Sequence, residues 1–146
     1  MSKILIVGGS GFIGSHVADE LSESGHEVII YDIKESEYLS EKQQMIIGKN
    51  DDSEKIGKVL DTGIDYVYNF SSIADIEEAK ENIDSMINVN IKGNLVLMNE
   101  CCKAGVKRYI YSSSLYVFSG YGTLYKASKQ SAELFIEAFN EINNLD

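Results

Sequence analysis

At 146 residues, 44% of them apolar, the chain has the material for one ordinary domain with its own core. Its 13 Lys and Arg against 23 Asp and Glu leave a net charge of −10, a field that repels phosphate backbones and anionic bilayers and argues against a nucleic-acid or membrane partner. An anionic ligand on such a protein needs a local dipole that overrides that field.

Met1 to Val7 run straight into a glycine cluster, with neither the apolar stretch of a signal peptide nor a bilayer-length span, and the chain reads as cytoplasmic. Ile4–Val7 is the first of five short runs rich in β-branched or aromatic residues; Val28–Tyr31, Met45–Ile47, Tyr66–Phe70 and Tyr109–Tyr111 follow. Such runs suit strands buried on both faces. Helical periodicity fills the gaps. Ile13, Val17 and Leu21 fall on one face of a first helix; Ile87, Ile91, Leu95, Met98 and Cys102 fall on one face of a later one. Gly25 and Gly105 stand where helix C-caps belong. The alternation predicts an α/β fold, a doubly wound parallel sheet of about five strands with helices on both faces. The last helix carries Ala132, Phe135, Ile136 and Phe139 on one side, and a further strand is expected after it. Cys101 and Cys102 are adjacent inside a helical pattern and read as reduced, structural residues.

Between the first strand and first helix stands GGSGFIG, Gly8 to Gly14. A bare glycine pattern often marks only a tight turn, but here a strand precedes it, an amphipathic helix follows, and Asp32 ends the second strand. Those are the features of a dinucleotide cradle: missing side chains admit the pyrophosphate, and unpaired N–H groups at the helix N-terminus meet its charge. Asp32 would accept hydrogen bonds from the adenosine ribose hydroxyls and oppose a 2′-phosphate, which favours NAD over NADP.

Ser112, Ser113 and Ser114 follow the fifth strand, at the sheet edge where open α/β folds bind ligands. Tyr125 and Lys129, at i and i+4, share a helix face. A tyrosine titrates near pH ~10 and is a poor base at neutral pH, but an adjacent ammonium lowers that value, and the phenolate can take a proton while a nicotinamide takes a hydride.

With these residues in place, the chain resembles the nucleotide-binding part of the extended short-chain dehydrogenase/reductase family, the group of NAD-dependent nucleotide-sugar epimerases and dehydratases. GGSGFIGSHV, YDI, NVNIKGNLVL, AGVKRYIYSSS and YKASK match its blocks in order, over nearly the whole chain. The resemblance implies a Rossmann-type NAD-binding domain over residues 1–146. It implies Tyr125 as acid/base, Lys129 lowering its pKa and holding the nicotinamide ribose, and Ser114 bonding the reacting hydroxyl of a nucleotide-sugar substrate. It further implies cofactor contacts from Gly8, Gly11, Phe12, Ile13, Gly14, Asp32, Ile33, Asn50, Phe70, Ser71, Ser72 and Asn90; for Asn90 a solvent-facing position in the helix is the competing reading. A homodimer through the last two long helices is also implied.

Several positions depart from the pattern. GKNDD puts Lys49 and Asn50 where an Asp-apolar pair holds adenine, leaving Asp51 or Asp52 to substitute. Asn69 stands where His is common. Tyr125 follows Ser114 by only eleven positions, a trimmed loop containing Gly120 and Gly122 that the glycines would let fold back. Leu115 and Tyr116 occupy the places of the dehydratases' Asp-Glu pair, which favours epimerisation or carbonyl reduction. His16 and His26 read as surface residues. The C-terminal substrate domain of the family is missing, so the chain is expected to be part of a longer enzyme and to bind cofactor better than it turns substrate over. A non-catalytic NAD-binding sensor or interaction module, with Tyr125 idle, and a purely structural interaction domain remain as alternatives.

Overall fold

The five apolar runs form one parallel sheet in the computed structural model, which describes residues 1–143 and 145. The strands are β1 (Lys3–Val7), β2 (Glu27–Asp32), β3 (Gln43–Ile47), β4 (Tyr66–Asn69) and β5 (Arg108–Tyr111), in the order β3-β2-β1-β4-β5. Because side chains alternate across a strand, β1 and β2 feed two cores at once. Ile4, Ile6, Val28 and Ile30 pack on one face with Ala18, Val17 and Leu21 of α1 (Phe12–Glu23). Leu5, Val7, Ile29 and Tyr31 pack on the other, against Ile56 and Leu60 of α2 (Ser53–Leu60) and, further along, Leu97, Met98 and Cys101. Leu5, Ile6 and Val67 are fully buried, each burial stabilising the fold by roughly 1.5–3 kcal/mol.

The helices between β4 and β5 differ most from the periodicity. Two short helices, α3 (Ile76–Glu81) and α4 (Ile83–Met86), lead into a π-helical stretch over Ile87–Gly93 and then α5 (Asn94–Ala104). A π turn holds an extra residue and rotates the faces on either side of it. The expected apolar stripe holds only in its second half: Met98 is buried and Leu95 and Cys102 pack on the core, whereas Ile87 is 43% exposed and Asn90, Gly93 and Asn94 are the buried positions of the first half. On α1, likewise, Ile13 points outward while Gly14, Ser15, Ala18 and Ser22 are buried. Gly105 closes α5 in the left-handed region at φ 69°, as a C-cap should. The last helix among the described residues is α6 (Thr123–Asn143), whose Ala132 is buried and whose Ile136 and Phe139 pack on the larger core. No helix among the described residues is long and apolar enough to cross a membrane.

From β1 the chain winds outward through β2 to β3 and then returns to the other side of β1 through β4 and β5. The loops leaving β1 and β4 thus diverge, which opens a crevice at the carboxyl edge of the sheet.

Candidate functional site

The crevice is a cleft of about 680 Å³ whose walls include Gly8, Gly11, Asp32, Asn50, Phe70, Ser71 and Ser72. Three of the four cradle glycines are required by the protein itself: a Cβ on Gly9 would lie 2.8 Å from Ile30 Cγ2 and 3.1 Å from the Ile6 oxygen. Gly8 has φ +80°, and a Cβ there would lie 2.5 Å from the Ser71 nitrogen; a Cβ on Gly14 would lie 2.4 Å from the Gly8 oxygen. Gly11 is different. Its φ is −79°, it is exposed, and the nearest atom to an added Cβ is the Gly8 oxygen at 3.4 Å. Nothing among the described residues needs a bare backbone there, yet it lines the cleft at the start of α1. A cradle closed at Gly8 and Gly14 and open at Gly11 fits a pyrophosphate seated on the helix N-terminus. The side chains of Phe12 and Ile13 stand 80% and 57% exposed at the start of α1, with Phe12 against the His16 ring.

Asp32 is fixed at the cleft wall by the backbone around it. Its Oδ2 accepts from the Ser10 N–H at 3.0 Å and its Oδ1 from the Ile33 N–H at 2.7 Å, while Ser10 Oγ donates to the Lys34 carbonyl at 2.9 Å. The end of β2 is thereby tied to the glycine loop, with the carboxylate and Ile33 both lining the cleft. Its charge opposes a second phosphate at this end of the site.

Asn50 and Asn90 serve the protein more than the cleft. Asn50 is 6% exposed and its Nδ2 donates to Ser71 Oγ and to the Val89 carbonyl, both at 2.9 Å. It packs so closely on Gly93 that a Cβ there would lie 2.2 Å from its Oδ1. Asn90 is neither solvent-facing nor in the cleft lining. It is 2% exposed; its Oδ1 accepts from the Ile73 N–H at 2.8 Å, and its Nδ2 donates to the Ile73 carbonyl and to Ser128 Oγ, each at 3.0 Å. Asn90 thus joins the cleft wall to α6. Of the two acids beside Asn50, Asp52 caps α2 by accepting from the Lys55 N–H, and Asp51 lines the cleft, its Oδ2 3.0 Å from the Lys92 ammonium. Asn69 is buried and accepts from Ser71 while donating to Tyr109 Oη and Asn94 Oδ1.

Ser114, Tyr125 and Lys129 come together at the edge of β5, but none of them lines the 680 Å³ cleft. Ile73 lies between: it lines the cleft and packs on the cluster of Ala79, Met86 and Tyr125. Ser114 caps a 3₁₀ turn at Leu115–Phe118, and Tyr116 in that turn meets Tyr125 edge-on at 6.2 Å between ring centres. Gly122, at φ +99°, lets the loop fold back, since a Cβ there would lie 2.9 Å from Tyr116 Cβ; among the described residues nothing lies within 4 Å of a Cβ on Gly120.

The electrostatics correct one expectation. Burial raises the Tyr125 pKa above its ordinary value; a hydrogen bond with Ser114 pulls it down and the Tyr116 field pushes it up. Lys129 does not reverse this. It is 2% exposed, its Nζ donates to the Ser112 carbonyl at 2.9 Å, and burial brings its own pKa down to about 8. The ammonium lies over ring faces, 4.7 Å from the centre of Tyr111 and 5.6 Å from that of Tyr125. Tyr111 was not anticipated as part of the site. Its signal was the strand alternation in RYIY, which puts Tyr109 and Tyr111 on the face toward α5 and α6.

A parallel sheet with a glycine cradle at its switch point and an acid at the end of β2 defines a Rossmann-type dinucleotide-binding domain. The model of the NAD dependent epimerase/dehydratase family matches residues 4–146, and the chain belongs to that family. It is similar to the UDP-glucose 4-epimerase of Neisseria meningitidis serogroup C, 32% identical over 133 residues, covering 84% of this chain and 39% of that protein. Among solved structures it is similar to a UDP-glucose 4-epimerase with UDP-glucose from Thermotoga maritima, with TM-score 0.91, 28% identity, and 98% of this chain against 52% of that one. A UDP-N-acetylglucosamine 4-epimerase from Methanobrevibacter ruminantium in complex with UDP-N-acetylmuramic acid gives TM-score 0.89 at 28% identity, with coverages of 99% and 52%. The chain spans about half the length of these structures.

Proposed function

We propose that residues 1–146 form the NAD-binding domain of a nucleotide-sugar epimerase. The observation that carries this reading is the contrast within the cradle: Gly8 and Gly14 are closed by the protein's own backbone, and Gly11 is left bare facing the cleft. In this reading Gly8, Gly11, Gly14 and the first N–H groups of α1 hold the pyrophosphate. Asp32 takes the adenosine ribose hydroxyls, and Phe70, Ser71 and Ser72 form the opposite wall. NAD, when bound, supplies the hydride acceptor and donor and a cationic ring.

The chain's own residues handle the proton. Ser114 donates or accepts at the sugar hydroxyl, and Tyr125 Oη exchanges its proton with it. With its pKa raised by burial, Tyr125 is protonated at neutral pH and is the acid of the pair. Acting as a base requires more positive charge nearby than Lys129 gives it from its place over the ring. The cationic ring of bound NAD would add that charge, and Lys129, bonded once to the Ser112 carbonyl, has donors to spare for a ribose hydroxyl. The full set needs a partner domain to shield the sugar from water and to orient it. A homodimer through the exposed faces of the last two long helices belongs to the same proposal; Leu134 and Ile142 of α6 are 66% and 78% exposed.

A second reading keeps the cradle and leaves Tyr125 idle, as in a non-catalytic cofactor sensor. The burial of Tyr125 and its place outside the cleft lining favour it. Two measurements separate the readings. Fluorescence titration with NADH and NADPH should give tighter NADH binding, and an Asp32→Ala variant should lose most of that preference; equal affinities in the wild type contradict the assignment of Asp32. Turnover of UDP-glucose by the chain joined to a substrate domain should fall by about 10²–10⁴-fold in Tyr125→Phe with NADH affinity retained. Undiminished turnover would leave the sensor reading standing.

A further inference from the structure

A buried ammonium without a counter-ion is costly, and Lys129 is such a group. Among the described residues no ion pair reaches it, and its one hydrogen bond is to the Ser112 carbonyl at 2.9 Å. What remains around it is aromatic. The Tyr111 ring centre lies 4.7 Å from Nζ, inside the ~6 Å range over which the negative face of a ring attracts a cation. Tyr125 is farther, at 5.6 Å. We propose that Tyr111 is a positioning residue for the reaction: its ring face and the Ser112 carbonyl together hold the Lys129 ammonium at the carboxyl edge of β5. The proposal rests on the functional reading of Lys129 above.

The two partners differ in rigidity, which sets the direction of control. Tyr111 is the last residue of β5, paired in register with Asn69 of β4 and packed on the larger core. Lys129 carries its charge on a four-carbon stem from α6, so the fixed ring decides where the ammonium rests. The other groups nearby do not take over this role. Glu133, one turn along α6, accepts from Ser113 Oγ at 2.5 Å. The phenol of Tyr111 is kept neutral by burial, then by the fields of Tyr125 and Glu133. An aliphatic residue at 111 would leave the ammonium only the Ser112 carbonyl and the more distant ring of Tyr125.

The test uses the cofactor-free protein labelled with ¹³C,¹⁵N-lysine, with the Lys129 signals identified by their loss in Lys129→Arg. Titration should give the same midpoint in wild type and Tyr111→Phe, which keeps the ring. In Tyr111→Leu the midpoint should fall by about one pH unit, a tenfold loss in proton affinity. Contacts between Tyr111 ring protons and Lys129 Hε protons should appear in the nuclear Overhauser spectrum of the wild type, and that observation decides the matter if Tyr111→Leu does not fold. An unmoved midpoint in folded Tyr111→Leu, or absence of those contacts, overturns the inference. A parallel NADH titration separates the two levels. Failure of the wild type to bind NADH removes the functional reading, while the lysine titration still decides the role of Tyr111.

Discussion

The ammonium of Lys129 sits 5.6 Å from the centre of the Tyr125 ring, over its face. Two groups that spacing alone casts as a charged lysine lowering a phenol's pKa are instead each dominated by burial, the lysine pushed down and the tyrosine up. In the absence of ligand the pair is held toward its neutral forms.

Stability should therefore depend on pH in a particular way. Lys129 has a folded-state pKa of about 8 against 10.5 for a free lysine, so between those values the unfolded chain binds more protons and stability rises with pH. The full rise is on the order of 3 kcal/mol. Cys101 and Cys102, from pH ~9, and Tyr31, Tyr109, Tyr111 and Tyr125, from pH ~10, have raised folded-state values, so there the unfolded chain loses protons first and stability falls. Urea unfolding at pH 7, 8 and 9 should show stability rising with pH in wild type relative to Lys129→Met. The same pH dependence in both proteins over that range would mean the ammonium is solvated.

Gly8→Ala should destabilise the fold whatever the ligand. The residue needs φ +80°, and the added methyl would meet the Ser71 nitrogen at 2.5 Å. A loss of about 2 kcal/mol or more is expected from strain plus overlap, read as a lower urea midpoint at unchanged slope.

The buried amides beneath the site make a third case. Asn69 Nδ2 donates to Tyr109 Oη at 2.7 Å, and Tyr109 donates onward to Asn94 Oδ1 at 2.5 Å. Tyr109→Phe removes both bonds and leaves a donor and an acceptor short of partners, a loss of about 1–3 kcal/mol. Because Asn69 also anchors Ser71 in the cleft wall, NADH affinity should weaken in the same variant.

The proposed dimer predicts that light scattering coupled to size exclusion gives twice the chain mass for wild type and the monomer mass for Leu134→Glu. Leu134 is 66% exposed, so the change leaves the core intact. Equal masses for the two proteins would rule out this face.

The sheet was legible because strands buried on both faces write continuous apolar runs, and each of the five lies within two residues of its expected bounds. The cradle and Asp32 were legible because their spacing is fixed by a strand-turn-helix unit. The helix after Ile83 was not. A π-helical stretch has no distinct periodicity in the sequence, and it turned Ile87 outward and Asn90 inward. The roles of Asn50 and Asn90 escaped for a related reason: an amide that braces a wall and one that touches a ligand look alike until the partners at Ser71, Val89 and Ile73 are seen. The direction of the Tyr125 shift needed burial, which i, i+4 spacing does not encode.

If the bare backbone at Gly11 exists for a dinucleotide, NADH titration of wild type beside Gly11→Ala will show it. The variant should melt within about 4 °C of wild type, since no atom of the described residues lies closer than 3.4 Å to the new Cβ, and should bind NADH at least roughly tenfold more weakly. Equal NADH affinity in the two proteins, or none in either, would contradict it.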